Sequence, residues 1–177
     1  MENLIIRTAS LDEYQNVTDF YYILIDSMQN AEFRPGWKKY VYPTKQFIYD
    51  SISEKSLFIA TINSAITGSM VMNHVCSDSY SNVQWNVSAD NNEIMVIHAL
   101  AVSRDFQRKG IAGKMVEYAI DFCKDNGMKA IRLDVLPSNI PAEKFYTKMG
   151  FVYIDKIQLF YEDTGLTDFL LYEFALN

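Results

Sequence analysis

The chain has 177 residues, 49% of them hydrophobic and 21% charged, with a formal net charge of −6; the reading is one globular domain over 1–177, long enough to bury a core and short for two. The acidic balance argues against nucleic acid, whose recognition needs clustered Lys and Arg against phosphates, and suits a cationic small molecule better. No apolar run is long enough to span a membrane, residues 1–3 open no basic-then-apolar leader, and Cys76 and Cys123 are too few for a disulfide framework, so a reduced cytoplasmic setting away from membranes is expected.

Residues 4–8 read as a short first strand. Residues 11–30 read as a helix opened by Asp12 and Glu13, with Tyr14, Val17, Tyr21, Leu24 and Met28 at helical spacing. A turn-rich aromatic connection over 33–43 leads to Thr44, a cap for a second helix running to Glu54. Residues 57–62 and 65–73 form a hairpin turning at Asn63-Ser64, and the polar stretch 74–92 is a long loop. Residues 94–102 (IMVIHALAV) have the length and apolarity of a buried strand, and Met115, Ala119 and Phe122 mark a helix over 114–126. Residues 130–135 alternate as a strand. Asn139, Pro141 and Gly150 cap, open and stop a last helix, after which two strands, 151–161 and 168–175, flank a turn at Asp163-Thr164-Gly165. Cys123 falls within a helix and reads as a small buried hydrophobe.

Between the 94–102 strand and the helix that follows stand Gln107, Arg108, Lys109, Gly110, Ile111, Ala112 and Gly113. Strand, glycine turn and helix start in that order gather backbone N–H groups and a positive helix end around one point, which suits a phosphate or pyrophosphate. Small residues at 110, 112 and 113 let a bulky anion reach the main chain. The basic residues Arg104, Arg108, Lys109 and Lys114 surround this turn. Neither the Walker spacing nor Gly-x-Gly-x-x-Gly is present.

What stands there is Gln107-x-x-Gly110-x-Ala112, which resembles the Gln/Arg-x-x-Gly-x-Gly/Ala signature of the GCN5-related N-acetyltransferases (GNAT superfamily). After the 130–135 strand, Asn139 to Phe151 (NIPAEKFYTKMGF) is similar to that family's Asn-x-x-Ala-x-x-Leu/Phe-Tyr-x-Lys-x-Gly-Phe motif. The order strand, two helices, three strands, helix, strand, helix, two strands also resembles the GNAT fold. The resemblance implies an α/β architecture: a central mixed, mostly antiparallel seven-stranded sheet, flanked by about four helices and splayed between strands 4 and 5. It implies acetyl-CoA as cofactor, with coenzyme A as product and no metal. The cofactor-contacting positions would be Leu100, Ala101 and Val102 on strand 4, Gln107 to Lys114 in the turn and helix start, and Asn139, Ala142 and Tyr146 on the last helix.

In such a site the pantetheine arm pairs with strand 4 as an added strand would, and a backbone N–H, that of Leu100, polarises the thioester carbonyl. Tyr146 is the candidate general acid for the departing thiolate; the plainer alternative is a ring packed on the sheet. For the base, His98 on strand 4 competes with Glu93 at its mouth. Many family members carry a glutamate on this strand, whereas Val96 stands two residues before His98. His98-Ala99-Leu100-Ala101-Val102 locally resembles the arylalkylamine N-acetyltransferases, which carry histidines there. His98 reads equally well as a hydrogen-bonded core histidine, and Glu93 as a solvated residue at a strand start.

Trp37, Tyr42, Tyr80 and Trp85 fall in the two loops that would shape an acceptor pocket, by cation–π contacts or simply as anchors. The function expected is N-acetyl transfer from acetyl-CoA to a primary amine, of a small molecule, by direct attack in a ternary complex. Acetylation of a protein N-terminus or lysine, and a non-catalytic acyl-CoA-binding module, remain alternatives. A homodimer is left open.

Overall fold

The computed structural model describes residues 3–33 and 35–176. Its elements are β1 (Ile5–Thr8), α1 (Tyr14–Ser27), α2 (Lys45–Ser53), β2 (Leu57–Ile62), β3 (Ala65–Asn73), β4 (Ile94–Val102), α3 (Ile111–Asp125), β5 (Ala130–Val135), α4 (Ile140–Lys148), β6 (Val152–Tyr161) and β7 (Gly165–Ala175). Among the described residues, seven strands form one sheet in the order β1-β2-β3-β4-β5-β7-β6. The β4–β5 pair is parallel, and β1–β2, β2–β3, β5–β7 and β6–β7 are antiparallel. The mixed, mostly antiparallel sheet with four helices is therefore present. Pairing of β4 with β5 joins Ile94–Val96 to Ala130–Arg132, while β4 runs on to Val102 and β5 to Val135. The two strands share only their first residues.

Contacts divide the chain into two compact units. The first holds β1–β3, α1, α2, β4 from His98 onward and the start of α3. Its core is the face of α1 carrying Val17, Tyr21, Leu24 and Ile25, with Ile48 and Ile52 of α2 and Leu57, Ile59 and Val71 of the hairpin. Full burial of side chains this size is worth roughly 1.5–3 kcal/mol each. The hairpin turns where expected: Asn63 and Ser64 both take positive φ, 48° and 66°, the conformation that matches the twist of the flanking strands. Thr44 caps α2 by accepting the Phe47 N–H at 2.9 Å. Gly68 lies close against α3 and β4, where a Cβ would sit 2.7 Å from the Met115 sulfur and 3.2 Å from the Ala101 carbonyl oxygen.

The second unit holds the first half of β4, β5–β7, α4 and the 74–92 segment. Tyr80, Leu159, Phe169 and Leu171 form one buried cluster in it. Arg132 and Glu173 lie opposite each other in the β5–β7 register.

Several boundaries differ from expectation, each for a local reason. The helix expected from residue 11 begins at Tyr14, because Leu11–Glu13 form a separate tight turn. There the Glu13 carboxylate accepts the Ser10 N–H at 3.0 Å and Arg7 at 2.7 and 2.8 Å. The helix expected from Lys114 starts at Ile111, since the Gly110 carbonyl already accepts the Lys114 N–H at 3.0 Å. Strand β7 starts at Gly165 rather than 168, paired directly with Tyr161. The 74–92 segment contains a short helical turn over Asp78–Asn82.

Candidate functional site: a glycine turn, a left-handed alanine in β4 and a buried tyrosine

In the first unit the turn between β4 and α3 is exposed from Gln107 to Gly110. Arg108 and Gly110 both take left-handed conformations, φ 60° and 81°, and α3 begins at the next residue. The amides of Ile111, Ala112 and Gly113 head that helix, where no carbonyl stands one turn back to receive them. Positive dipole end and small side chains thus coincide, which fits a pyrophosphate. The basic residues nearby have differing commitments. Arg104 donates to the Ser27 carbonyl at 3.2 Å, Lys109 lies 4.8 Å from the centre of the Phe106 ring, and Lys114 pairs with Glu117 at 2.7 Å. Gln107 reaches back to the Val102 carbonyl at 3.3 Å, so its amide braces the turn.

Along β4, Ile94 to Ile97 are all buried, and from His98 the pattern alternates: His98, Leu100 and Val102 are half-buried, Ala99 and Ala101 buried. Ala99 breaks the strand's regularity with φ 50°, a conformation that alanine enters only at a cost. Its carbonyl accepts the hydroxyl of Tyr21 at 2.8 Å, and the Tyr21 oxygen lies 3.0 Å from Ser69 Oγ. Tyr21 is wholly buried. Nothing in the sequence distinguished it from the other apolar residues of α1.

In the second unit Tyr146 is 8% exposed, its ring edge-on to Phe145 and Phe151. Burial, with the charge of Asp134 adding to it, pushes its phenol well above the ordinary tyrosine range. Asp134 receives two other phenols on one oxygen, Tyr80 at 2.7 Å and Tyr161 at 2.9 Å. Asn139 stands at the N-cap of α4, yet the cap bonds come from its backbone, whose carbonyl accepts Ala142 N–H at 3.0 Å; its side chain makes no cap bond. Ala142 and Asn139 are half-buried. Glu93 closes a turn by accepting the Asp90 N–H at 3.0 Å and takes Lys129 at 2.8 Å, and these contacts, Lys129 first, hold its carboxyl below the usual range. A weakened base engaged in two contacts is poorly suited to accept a substrate proton.

The four aromatic loop residues separate into two groups. Trp37 and Tyr42 belong to the first unit, in an edge-to-face series Tyr21–Trp37–Tyr42 with centroids 6.0 and 6.2 Å apart. Tyr80 and Trp85 belong to the second. Trp85 donates to the Tyr80 carbonyl at 3.0 Å and lies under the Arg132 guanidinium at 4.1 Å. There Arg132 pairs with Glu173 and donates to the Val87 carbonyl at 2.9 Å. A cavity of about 760 Å³ opens beside them, lined by His74, Cys76, Asp78, Gln84, Trp85 and Arg132 among others. The alternation of 130–135 places Arg132 and Asp134 on one face, but not what meets them there. No helix among the described residues is long and apolar enough to cross a membrane, and among them no cluster of His, Cys, Asp and Glu could hold a metal ion.

The profile of the Acetyltransferase (GNAT) family matches residues 22–151. The chain is similar to an uncharacterized N-acetyltransferase of Methanocaldococcus jannaschii, 24% identical over 152 residues, which are 82% of this chain and 59% of that protein. It is also similar to a streptothricin acetyltransferase of Escherichia coli, 27% identical over 107 residues, 60% of this chain and 54% of that one. The chain therefore spans less than two thirds of the length of these relatives. A GNAT-family acetyltransferase structure from Streptococcus agalactiae superposes with a TM-score of 0.80 at 18% identity, covering 98% of this chain and 96% of that one, which shows the shared fold. With the strand–turn–helix and the Asn139–Phe151 helix falling inside the matched segment, the chain belongs to the acetyltransferase (GNAT) family.

Proposed function

We propose that the protein transfers the acetyl group of acetyl-CoA to a primary amine of a small molecule, both substrates being bound together. The observation that carries this is the exposed turn at 107–110, with two left-handed residues leading straight into α3, in a chain of the acetyltransferase family. Its backbone amides would hold the pyrophosphate, and acetyl-CoA, when bound, supplies the activated thioester. The small-molecule acceptor is supported by the similarity to a streptothricin acetyltransferase and by the aromatic series around Trp37 and Tyr42.

In this reading the Leu100 N–H donates to the thioester oxygen as negative charge develops there. Tyr146, kept protonated by its burial, donates to the departing sulfur; its raised pKa makes complete transfer less favourable, so a short, well-aimed bond carries its contribution. His98 takes the proton of the attacking ammonium, directly or through water. Glu93 is the weaker candidate, being held by Lys129 and Asp90.

The test has two parts. Acetyl-CoA should raise the unfolding temperature far more than ATP or NAD, as linkage requires for a ligand bound by the native state alone. A panel of small amines and short peptides, read by released thiol, should then show turnover with small amines; turnover with peptides alone would make the acceptor a protein, and heat stabilisation without turnover would make the chain a binding module.

A further inference from the structure

The bond between Tyr21 and Ala99 joins two features that ordinary packing does not require together. Tyr21 is wholly buried on α1, and Ala99 sits inside β4 at φ 50°. A phenol carries one proton and a carbonyl can only accept. The proton of Tyr21 therefore goes to the Ala99 oxygen at 2.8 Å, and the Ser69 hydroxyl, 3.0 Å away, donates to the phenol oxygen. Burial holds the phenol far above its ordinary range, so it remains a donor at every working pH.

The carbonyl of Ala99 and the N–H of Leu100 are the two ends of one planar trans peptide, pointing in opposite directions. Whatever fixes the first aims the second. A hydrogen bond to the carbonyl also draws electron density through the amide and makes its N–H the stronger donor. We propose that Tyr21 is a positioning residue for acetyl transfer: by holding the Ala99 carbonyl it aims and polarises the Leu100 N–H that faces the thioester oxygen. This rests on the reading of Leu100 as the carbonyl-polarising donor. A tyrosine present only to fill the core would ask nothing unusual of the residue it bonds, whereas Ala99 is held left-handed at that very bond.

The measurement is the infrared carbonyl stretch of acetyl-CoA labelled with carbon-13 at the acetyl carbon, bound to the enzyme without amine, alongside steady-state kinetics. In the wild type the band should lie below its position in water. Tyr21→Phe should return most of that shift and lower kcat about 10- to 100-fold, short of the roughly 10²–10³ seen when such a donor is removed outright, with KM for acetyl-CoA changed less than about twofold. A folded Tyr21→Phe with the wild-type band and kcat overturns the role of Tyr21 and leaves Leu100 untouched. A wild-type band unshifted from water overturns the Leu100 reading itself, and the inference with it. Should Tyr21→Phe not fold, 3,5-difluorotyrosine at position 21 keeps the ring and strengthens the donor. It should move the band further in the same direction, and an unmoved band overturns the proposal.

Discussion

Arg132 of β5 and Glu173 of β7 face each other across the sheet and meet at 3.0 Å, with side chains only 8% and 2% exposed. Each also grips the backbone of Val87: Glu173 accepts its N–H at 3.0 Å and Arg132 donates to its carbonyl at 2.9 Å. Removing one partner leaves the other charge buried and alone. Arg132→Met should therefore destabilise by about 3–5 kcal/mol, read from urea unfolding. Arg132→Met with Glu173→Leu should recover much of the loss, and amide exchange near Val87 should quicken in both.

Gly110→Val forces a branched residue into φ 81° and covers the amides at the head of α3. Acetyl-CoA affinity should fall by about tenfold or more, equivalent to roughly 1.4 kcal/mol, beyond the loss of ligand-free stability of roughly 1–3 kcal/mol that the strained backbone itself costs. Calorimetric titration checks it; unchanged affinity in a folded variant removes the turn from the site.

Tyr146→Phe keeps the ring against Phe151 and deletes only the proton donor. Acetyl-CoA binding should persist while kcat falls on the order of 10²-fold. Because burial holds the phenol above its ordinary range, the wild type should keep this donor through about pH 10, the usual tyrosine pKa. A decline of kcat near pH 9 that disappears in Tyr146→Phe would show that burial does not hold the phenol above its ordinary range, whereas a folded Tyr146→Phe with wild-type kcat would remove Tyr146 as the acid.

For His98→Ala the pH profile is the decisive measurement. Loss of a base lowers the rate most where the acceptor amine is protonated, and the deficit should close as pH rises and the amine deprotonates unaided. A uniform loss at every pH marks a packing role instead.

Glu13 is held by Arg7, whose bond is the main cause of its pKa falling from 4.5 to about 2. A carboxyl depressed on folding stabilises the native state above its unfolded pKa and loses that contribution as pH falls through the folded one. The pair should be fully stabilising above about pH 5, fade as pH falls through about 2, and be silent only near pH 1. The Arg7 side chain is 45% exposed, so solvent screening limits the effect to about 1 kcal/mol. Glu13→Gln should lower stability at pH 7 and approach the wild type only as pH falls below about 2, in thermal unfolding across that range.

Most of the fold was legible because its determinants are local. The hairpin at Asn63–Ser64, the Thr44 cap and the strand of residues 130–135 each depend on neighbours within a few positions. The glycine turn was legible for the same reason. Three features were not. The contact of Tyr21 with Ala99 spans 78 positions, and an apolar helix stripe hides a phenol with a task. Arg132 and Glu173 lie 41 apart, and only the β5–β7 register makes them partners. Asn139 had the right residue type for a side-chain cap, yet the backbone alone supplies those bonds.

Val87 is held by its own peptide groups. At this residue the path of the 74–92 segment is thereby fixed by bonds that do not depend on the side chain, in addition to the anchors of Tyr80 and Trp85. Gln84, Asn86 and Ser88, beside the anchored residue and exposed, can be exchanged without uncoupling the segment from the sheet. A library randomised at these three positions, with Arg132 and Glu173 kept, should therefore still fold, which thermal unfolding of its members would check.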